Sequence, residues 1–171
     1  PTLSAQPLLH LQQGQEFYDR GDLDKAIFEW RETVRLAPNN AKAHHLLGLA
    51  LGDYGDRDEA ITVLERSLRL DPHNAMAQVH LARTLEAKGD VQKAVTAYRR
   101  ALQLVPTSAY IHDRLGHLLA AQGDTQAAAN EWQRAIELDP DYAYTHANLG
   151  EALESLGRKT KAIAAYERAI E

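Results

Sequence analysis

The stretch HHLLGLALGDYGDRDEAITVLERSLRLDP, residues 44 to 72, carries the pattern that decides the fold. Apolar residues Leu46, Leu47, Ala50 and Leu51 recur at helical spacing, and the run stops at Gly55. A glycine at that point predicts a helix end in the left-handed conformation, which only glycine reaches cheaply. Asp56 follows as an N-cap, and Glu59 three residues later predicts a capping box. A second helix then carries Ala60, Ile61, Leu64 and Leu68 on one face. Pro72 ends it, because proline has no amide to donate and clashes with the preceding turn. Gly48 and Ala60 are small enough to let the two helices approach closely. The stretch predicts a helical hairpin.

The same rhythm returns in AKGDVQKAVTAYRRALQLVP, residues 87 to 106, and in AQGDTQAAANEWQRAIELDP, residues 121 to 140. Pro38, Pro72, Pro106 and Pro140 stand 34 residues apart, as do Ala26, Ala60, Ala94, Ala128 and Ala162. Gly21, Gly55, Gly89, Gly123 and Gly157 keep the same step, and a further series runs Gly14, Gly48, Ala82, Gly116, Gly150. A fixed period of this length marks stacked repeats. One hairpin cannot bury its apolar faces alone, whereas stacked neighbours bury a continuous core. The expectation is an all-α fold, a right-handed α-solenoid of helix-turn-helix hairpins. Five repeats span 7–40, 41–74, 75–108, 109–142 and 143–171, forming a single domain after a lead-in over 1–6. A start without methionine and an end inside a helical pattern predict a piece of a longer protein.

With 171 residues, 44% hydrophobic and 25% charged, the composition is that of an ordinary globular domain. Aromatic residues are only 6%, so the core must close by small-residue packing. A net charge of −5 argues against nucleic acid as the main ligand, because neutralising phosphates needs a basic surface. The lack of cysteine excludes disulfides, thiolate metal sites and cysteine nucleophiles. No apolar run reaches the roughly 18 residues that a membrane span requires, so direct membrane insertion of this segment is not expected. The compartment stays open: the cytoplasm is favoured, and the given residues leave room for an upstream targeting or anchoring segment.

The pattern of small residue, alanine and proline at period 34 resembles the tetratricopeptide repeat. HHLLGLALGDYGDRDEAITVLERSLRLDP and AYTHANLGEALESLGRKTKAIAAYERAIE are similar to its motif, and the resemblance covers nearly the whole chain. There are departures. His10, His44, Gln78, His112 and His146 stand where the family often has a bulky aromatic, and packed, hydrogen-bonded histidines are the expectation there. Thr33 and Ser67 replace the alanine of later repeats, and Arg158 replaces the capping aspartate of the last, which is therefore expected to fray most.

The resemblance implies a protein-interaction scaffold without catalysis, whose first helices line a concave groove for a peptide, an amphipathic helix or a neighbouring chain. The residues expected to face that groove are Leu8, Leu11, Tyr18, His45, Leu46, Leu49, Met76, Val79 and His80 in the first three repeats. In the last two they are Tyr110, Asp113, Arg114, His117, Tyr144, Asn148, Glu151 and Glu154, with Arg83 and Glu86 at the junction. One end is apolar and the other is polar and mixed in charge. Gly52 lies in a first helix on this side, where its missing side chain leaves room for a pocket. The bland alternative is that the apolar residues pack between repeats, or that the lead-in folds back over them. The family's carboxylate clamp of lysine, asparagine and arginine is not matched, since the corresponding places hold Leu11, Gln15, Leu46, Met76 and His80.

Eight histidines raise the question of metal. His44 with His45, and His112 with His117, lack the i, i+4 spacing that lets two imidazoles share an ion. His45 and His80 are placed to meet across adjacent first helices, but no third ligand is evident, so neither metal nor other cofactor is expected. No Ser–His–Asp or paired-carboxylate set converges, and an enzyme is not predicted. The outward face of the second helices reads as solvated surface, with Phe28 as its apolar exception. The alternative function is a structural assembly module, because Ala162, Ile163, Tyr166 and Ile170 have no polar covering helix and would self-associate.

Overall fold

A computed structural model describes residues 5–170, and these form ten α-helices and no strand. They are α1 (Gln6–Asp19), α2 (Leu23–Leu36), α3 (Ala41–Tyr54), α4 (Arg57–Leu70), α5 (Ala75–Lys88), α6 (Val91–Leu104), α7 (Ala109–Ala121), α8 (Thr125–Leu138), α9 (Ala143–Ser155) and α10 (Lys159–Ala169). The expected turn glycines 21, 55, 89, 123 and 157 all take positive φ. At Gly55, with φ 106°, the amides of Gly55 and Asp56 both donate to the Leu51 carbonyl, which the ending helix would leave without a partner.

Asp22, Asn40, Asp56, Asn74, Ser108 and Asp124 cap the helices they precede, each side chain accepting from the amide three residues on. The predicted capping box is only half built. Asp56 accepts from the Glu59 amide at 3.4 Å, but its own amide is held by Leu51, and the Glu59 carboxylate accepts from Arg31 at 2.6 Å instead. Arg158, as expected, makes no side-chain cap, and neither does Tyr142. α1 begins at Gln6 with Pro7 in its first turn, where a missing amide costs nothing. Residues 1–4 lie outside the described residues, and so does the expectation that they cover the groove.

Sequence reading treats 7–171 as one domain. The structure divides into two compact units, residues 1–97 and 98–171, with the division inside α6. Repeats that touch only their neighbours permit such a division. In the first unit each of α1 to α4 packs on the helix that follows it, and α3 also touches α5. Ala26, Ile27, Trp30, Leu47, Ala50, Leu51 and Ala60 form its core cluster. A Cβ on Gly48 would lie 2.6 Å from Leu64 Cγ, so the close packing of α3 on α4 requires glycine. Thr33 and Ser67 are fully buried and satisfied, their hydroxyls donating to the carbonyls of Glu29 at 3.0 Å and Ala41 at 2.8 Å.

In the second unit α7 packs on α8, α8 on α9 and α9 on α10. Gly116 admits the Trp132 ring, whose Nε1 would be 2.6 Å from an added Cβ. Ala162 was expected on an uncovered face but is 3% exposed, because it belongs to the alanine series that faces inward within each hairpin. Ile163 at 59% and Ile170 at 87% do stand exposed, and Tyr166 is 36% exposed with its ring against Gly150.

Candidate functional site

The first unit presents one face from α1, α3 and α5. His45, Leu49 and Asp53 follow one another along one stripe of α3, at the four-residue spacing that aligns side chains on a helix. The Tyr18 hydroxyl on α1 donates to the Asp53 carboxylate. Burial first, and then that hydrogen bond, push the Tyr18 phenol up to about 12. His45 Nε2 and His80 Nδ1 bond at 2.8 Å between α3 and α5, with ring centroids 5.0 Å apart. Burial holds both imidazoles below the ordinary histidine value. Lys42 adds to this at His45, while His45 and Arg83 help bring His80 down to about 4. The pair is therefore neutral at pH 7, one ring donating to the other.

Leu8 and Met76 stand out at 57% and 55% exposure. Leu49 is half-buried, and Leu11, Tyr18 and Leu46 pack partly against the core cluster. Val79 was expected on the open face and is instead 7% exposed. Its neighbours surround most of α5, burying Ala77, Gln78, Leu81, Ala82, Thr84 and Leu85 as well. Arg83 is exposed and Glu86 half-buried on the same helix. The room expected beside Gly52 is closed, because a Cβ there would lie 3.2 Å from Thr84 Oγ1. Glycine at this position serves the approach of α3 to α5.

The second unit presents a different face from α7 and α9. Thr145 Oγ1 donates to the Asp113 carboxylate at 2.6 Å. His117 Nε2 stands 3.6 Å from Asp113 and 3.3 Å from Asn148 Nδ2, and its ring meets Trp132 edge-on at 5.5 Å. Tyr144 is 89% exposed, Tyr110 is 38% exposed, Glu151 and Glu154 are exposed, and Arg114 is half-buried. Thr145 is a member of this group that sequence reasoning missed. Its signal was a hydroxyl in a column otherwise holding Leu9, Ala43, Ala77 and Ile111.

The histidines at the aromatic place are structural. His44, His112 and His146 reach back through Nε2 to the carbonyls of Pro38, Pro106 and Pro140, at 2.9, 3.3 and 3.0 Å. His10 and His112 also turn Nδ1 to Glu29 and Glu131, at 2.6 and 2.7 Å. Gln78, in the same column, is buried with Nε2 unbonded. Among the described residues no three of His, Asp and Glu gather as metal ligands, and no helix is long and apolar enough to cross a membrane.

Family models for the tetratricopeptide repeat match residues 45–109 and 145–171, and a model described as TPR repeat matches 14–55 and 116–157. No curated protein matches the sequence. Among solved structures, MamA is similar with a TM-score of 0.87 at 25% identity, over 92% of this chain and 92% of that one. MamA 41-end from Desulfovibrio magneticus RS-1 gives 0.88 at 22% identity, over 96% and 93%. YrrB, described as a TPR protein with an unusual peptide-binding site, gives 0.82 at 20% identity, over 94% and 83%. The last two likenesses are of fold.

Proposed function

On the premise that the chain belongs to the tetratricopeptide repeat family, we propose that it is a protein-interaction scaffold binding a peptide or short amphipathic helix of a partner on the face of α1, α3 and α5. The observation that supports this reading is the exposure of Leu8 and Met76, with Leu46 and Leu49 half-buried, in the unit that holds a neutral imidazole pair. Such a surface is cheap to desolvate, whereas a face of carboxylates is costly to cover. Burying a leucine-sized anchor contributes about 1.5 to 3 kcal/mol, so two or three anchors support binding in the micromolar range after association costs. Exposed charges such as Arg83 set direction and contribute about 0 to 1 kcal/mol each. YrrB's description as a peptide binder with the same fold is consistent with a peptide ligand. No reaction is assigned to any residue.

The test is affinity capture by the full chain and by its Leu49→Glu form, each checked by circular dichroism. Loss of the captured partner with Leu49→Glu is expected. Retention there, with loss on Arg114→Glu, overturns the reading and moves recognition to α7 and α9. A second reading, assembly of copies, is favoured by the exposure of Ile163 and Ile170 on and just beyond α10. Sedimentation at rising concentration distinguishes the two, since assembly requires mass that grows without any partner.

A further inference from the structure

The seam between α8 and α10 opens into a cleft of about 580 Å³, floored by Leu149 and Leu153 of α9. The corresponding seam between α2 and α4 is lined by bulkier and paired side chains. There Ile27 is buried, Val63 packs against the core cluster, and Arg31 on α2 donates to Glu59 on α4 at 2.6 Å. Three periods later these four places hold Ala129, Ala165, Gln133 and Lys161. The alanines remove the bulk, and a glutamine opposite a lysine cannot rebuild the ion pair. The opening is thus a consequence of four particular residues.

His146 sets the chemistry of the cleft. It is 8% exposed and lines the opening, and its Nε2 lies 3.0 Å from the Pro140 carbonyl. A carbonyl only accepts, so that nitrogen donates, and Nδ1 can hold a carboxylate only when it too carries a proton. Nineteen residues beyond His10 and His112, that carboxylate is built in as Glu29 and Glu131. Nineteen residues beyond His146 stands Ala165, and Nδ1 makes no hydrogen bond among the described residues. The charged side chains lining the cleft are Arg158, which donates to Gln126 at 2.7 Å, and Lys161. Both are cations, in a chain whose net charge is −5.

We propose that this cleft binds an acidic peptide segment of a partner protein. One glutamate or aspartate carboxylate takes the place that Glu131 holds in the preceding hairpin, accepting from Nδ1 of a doubly protonated His146 with Lys161 and Arg158 at the rim. An adjacent apolar side chain lies on Leu149 and Leu153. The site is separate in residues and chemistry from the face proposed on α1, α3 and α5. It is also unlike a carboxylate clamp on first helices, since its cations come from α10 and the turn before it.

The probe is an acetylated, amidated hexapeptide of alternating leucine and glutamate, and its control carries glutamine for glutamate. Each is titrated into the full chain while NMR resonances are followed. The glutamate peptide should shift the Leu149 and Leu153 methyls and the His146 ring in a saturable way. The glutamine peptide should bind roughly tenfold more weakly or worse, because a charge-assisted bond is lost. Ala165→Glu should supply the missing carboxylate in cis, move the His146 resonances without peptide, and abolish binding. Lys161→Gln, which leaves the cleft open, should weaken the glutamate peptide alone, and it carries the test if Ala165→Glu does not fold. Equal binding of the two peptides overturns the proposal, as do shifts confined to Leu46, Leu49 and Met76. So does unchanged binding to Ala165→Glu, or the lack of any saturable shift at millimolar peptide.

Discussion

On α3 and α5 two imidazoles hold each other at 2.8 Å beside leucines, whereas on α7 and α9 the Asp113 carboxylate holds Thr145 at 2.6 Å with His117 and Asn148 alongside. Both are contacts between neighbouring first helices, built on the same hairpin backbone. The inward columns of alanine and glycine keep that backbone constant, which leaves the outward columns free to differ. A neutral, half-buried pair has already shed much of its water and can be covered by an apolar ligand at little cost. A carboxylate keeps its water unless a partner replaces every bond. The difference supports the proposal that apolar recognition belongs to the first unit, with the α7 and α9 face left for polar contacts.

The largest effect that would break this contrast concerns binding. Truncating Leu49 and Met76 to alanine together should cost a partner peptide about 1.5 to 3 kcal/mol for each anchor, while Glu151→Ala should stay within about 1 kcal/mol. Calorimetry with an identified partner reads both, and the reverse order would transfer recognition to the second unit.

Acid should separate the two faces next. Folding lowers the affinity of His45 and His80 for protons, so the unfolded chain takes up protons first as acid is added. The stabilising contribution is therefore complete above the ordinary histidine value of about 6.5. It is lost as pH falls towards the value of about 4 at which His80 itself protonates. Lys42 and Arg83 favour the neutral rings and Asp53 opposes them. Discounted for partial exposure, the loss for the His80 site is about 2 kcal/mol. Hydrogen exchange in α3 and α5 at pH 7 and pH 4.5 measures it, and His80→Leu should flatten the response. An equal response in that variant would show that the pair is not its source.

A smaller contrast lies in the two tryptophans. Trp30 Nε1 donates to the Leu11 carbonyl at 3.2 Å, whereas Trp132 Nε1 is buried without a partner among the described residues. Trp30→Phe forfeits a hydrogen bond and Trp132→Phe removes an unpaired donor, so urea melts should find the first more costly by about 1 kcal/mol. The smallest effect is at the caps. Asp124 accepts from the Ala127 amide at 3.0 Å at the start of α8, while Arg158 caps nothing at the start of α10. Arg158→Asp should stabilise α10 by about 0.5 to 1 kcal/mol and slow its hydrogen exchange; unchanged exchange would show that the missing cap does not limit that helix.

The alanines, glycines and prolines at period 34 determine the hairpins without help from the rest of the molecule, because each acts within a turn of its own position. Gly55 ends a helix by its φ, Pro72 ends one by its missing amide, and Ala60 lets two helices approach by the room it leaves. The histidines replacing the family's aromatic were readable as packed groups for the same reason, though the proline carbonyls they bind were not. What only the tertiary structure decided depends on how many neighbours surround a side chain. Val79 sits one residue before His80 on α5, yet the first is interior and the second reaches the open face, since burial there comes from the helices around α5. Thr145 shows in the sequence only as a hydroxyl in an apolar column and gains its role when Asp113 is brought to 2.6 Å. The cleft beside His146 is the extreme case. It arises from what Ala129, Ala165, Gln133 and Lys161 fail to fill, and an unfilled volume exists only once every surrounding side chain has been placed.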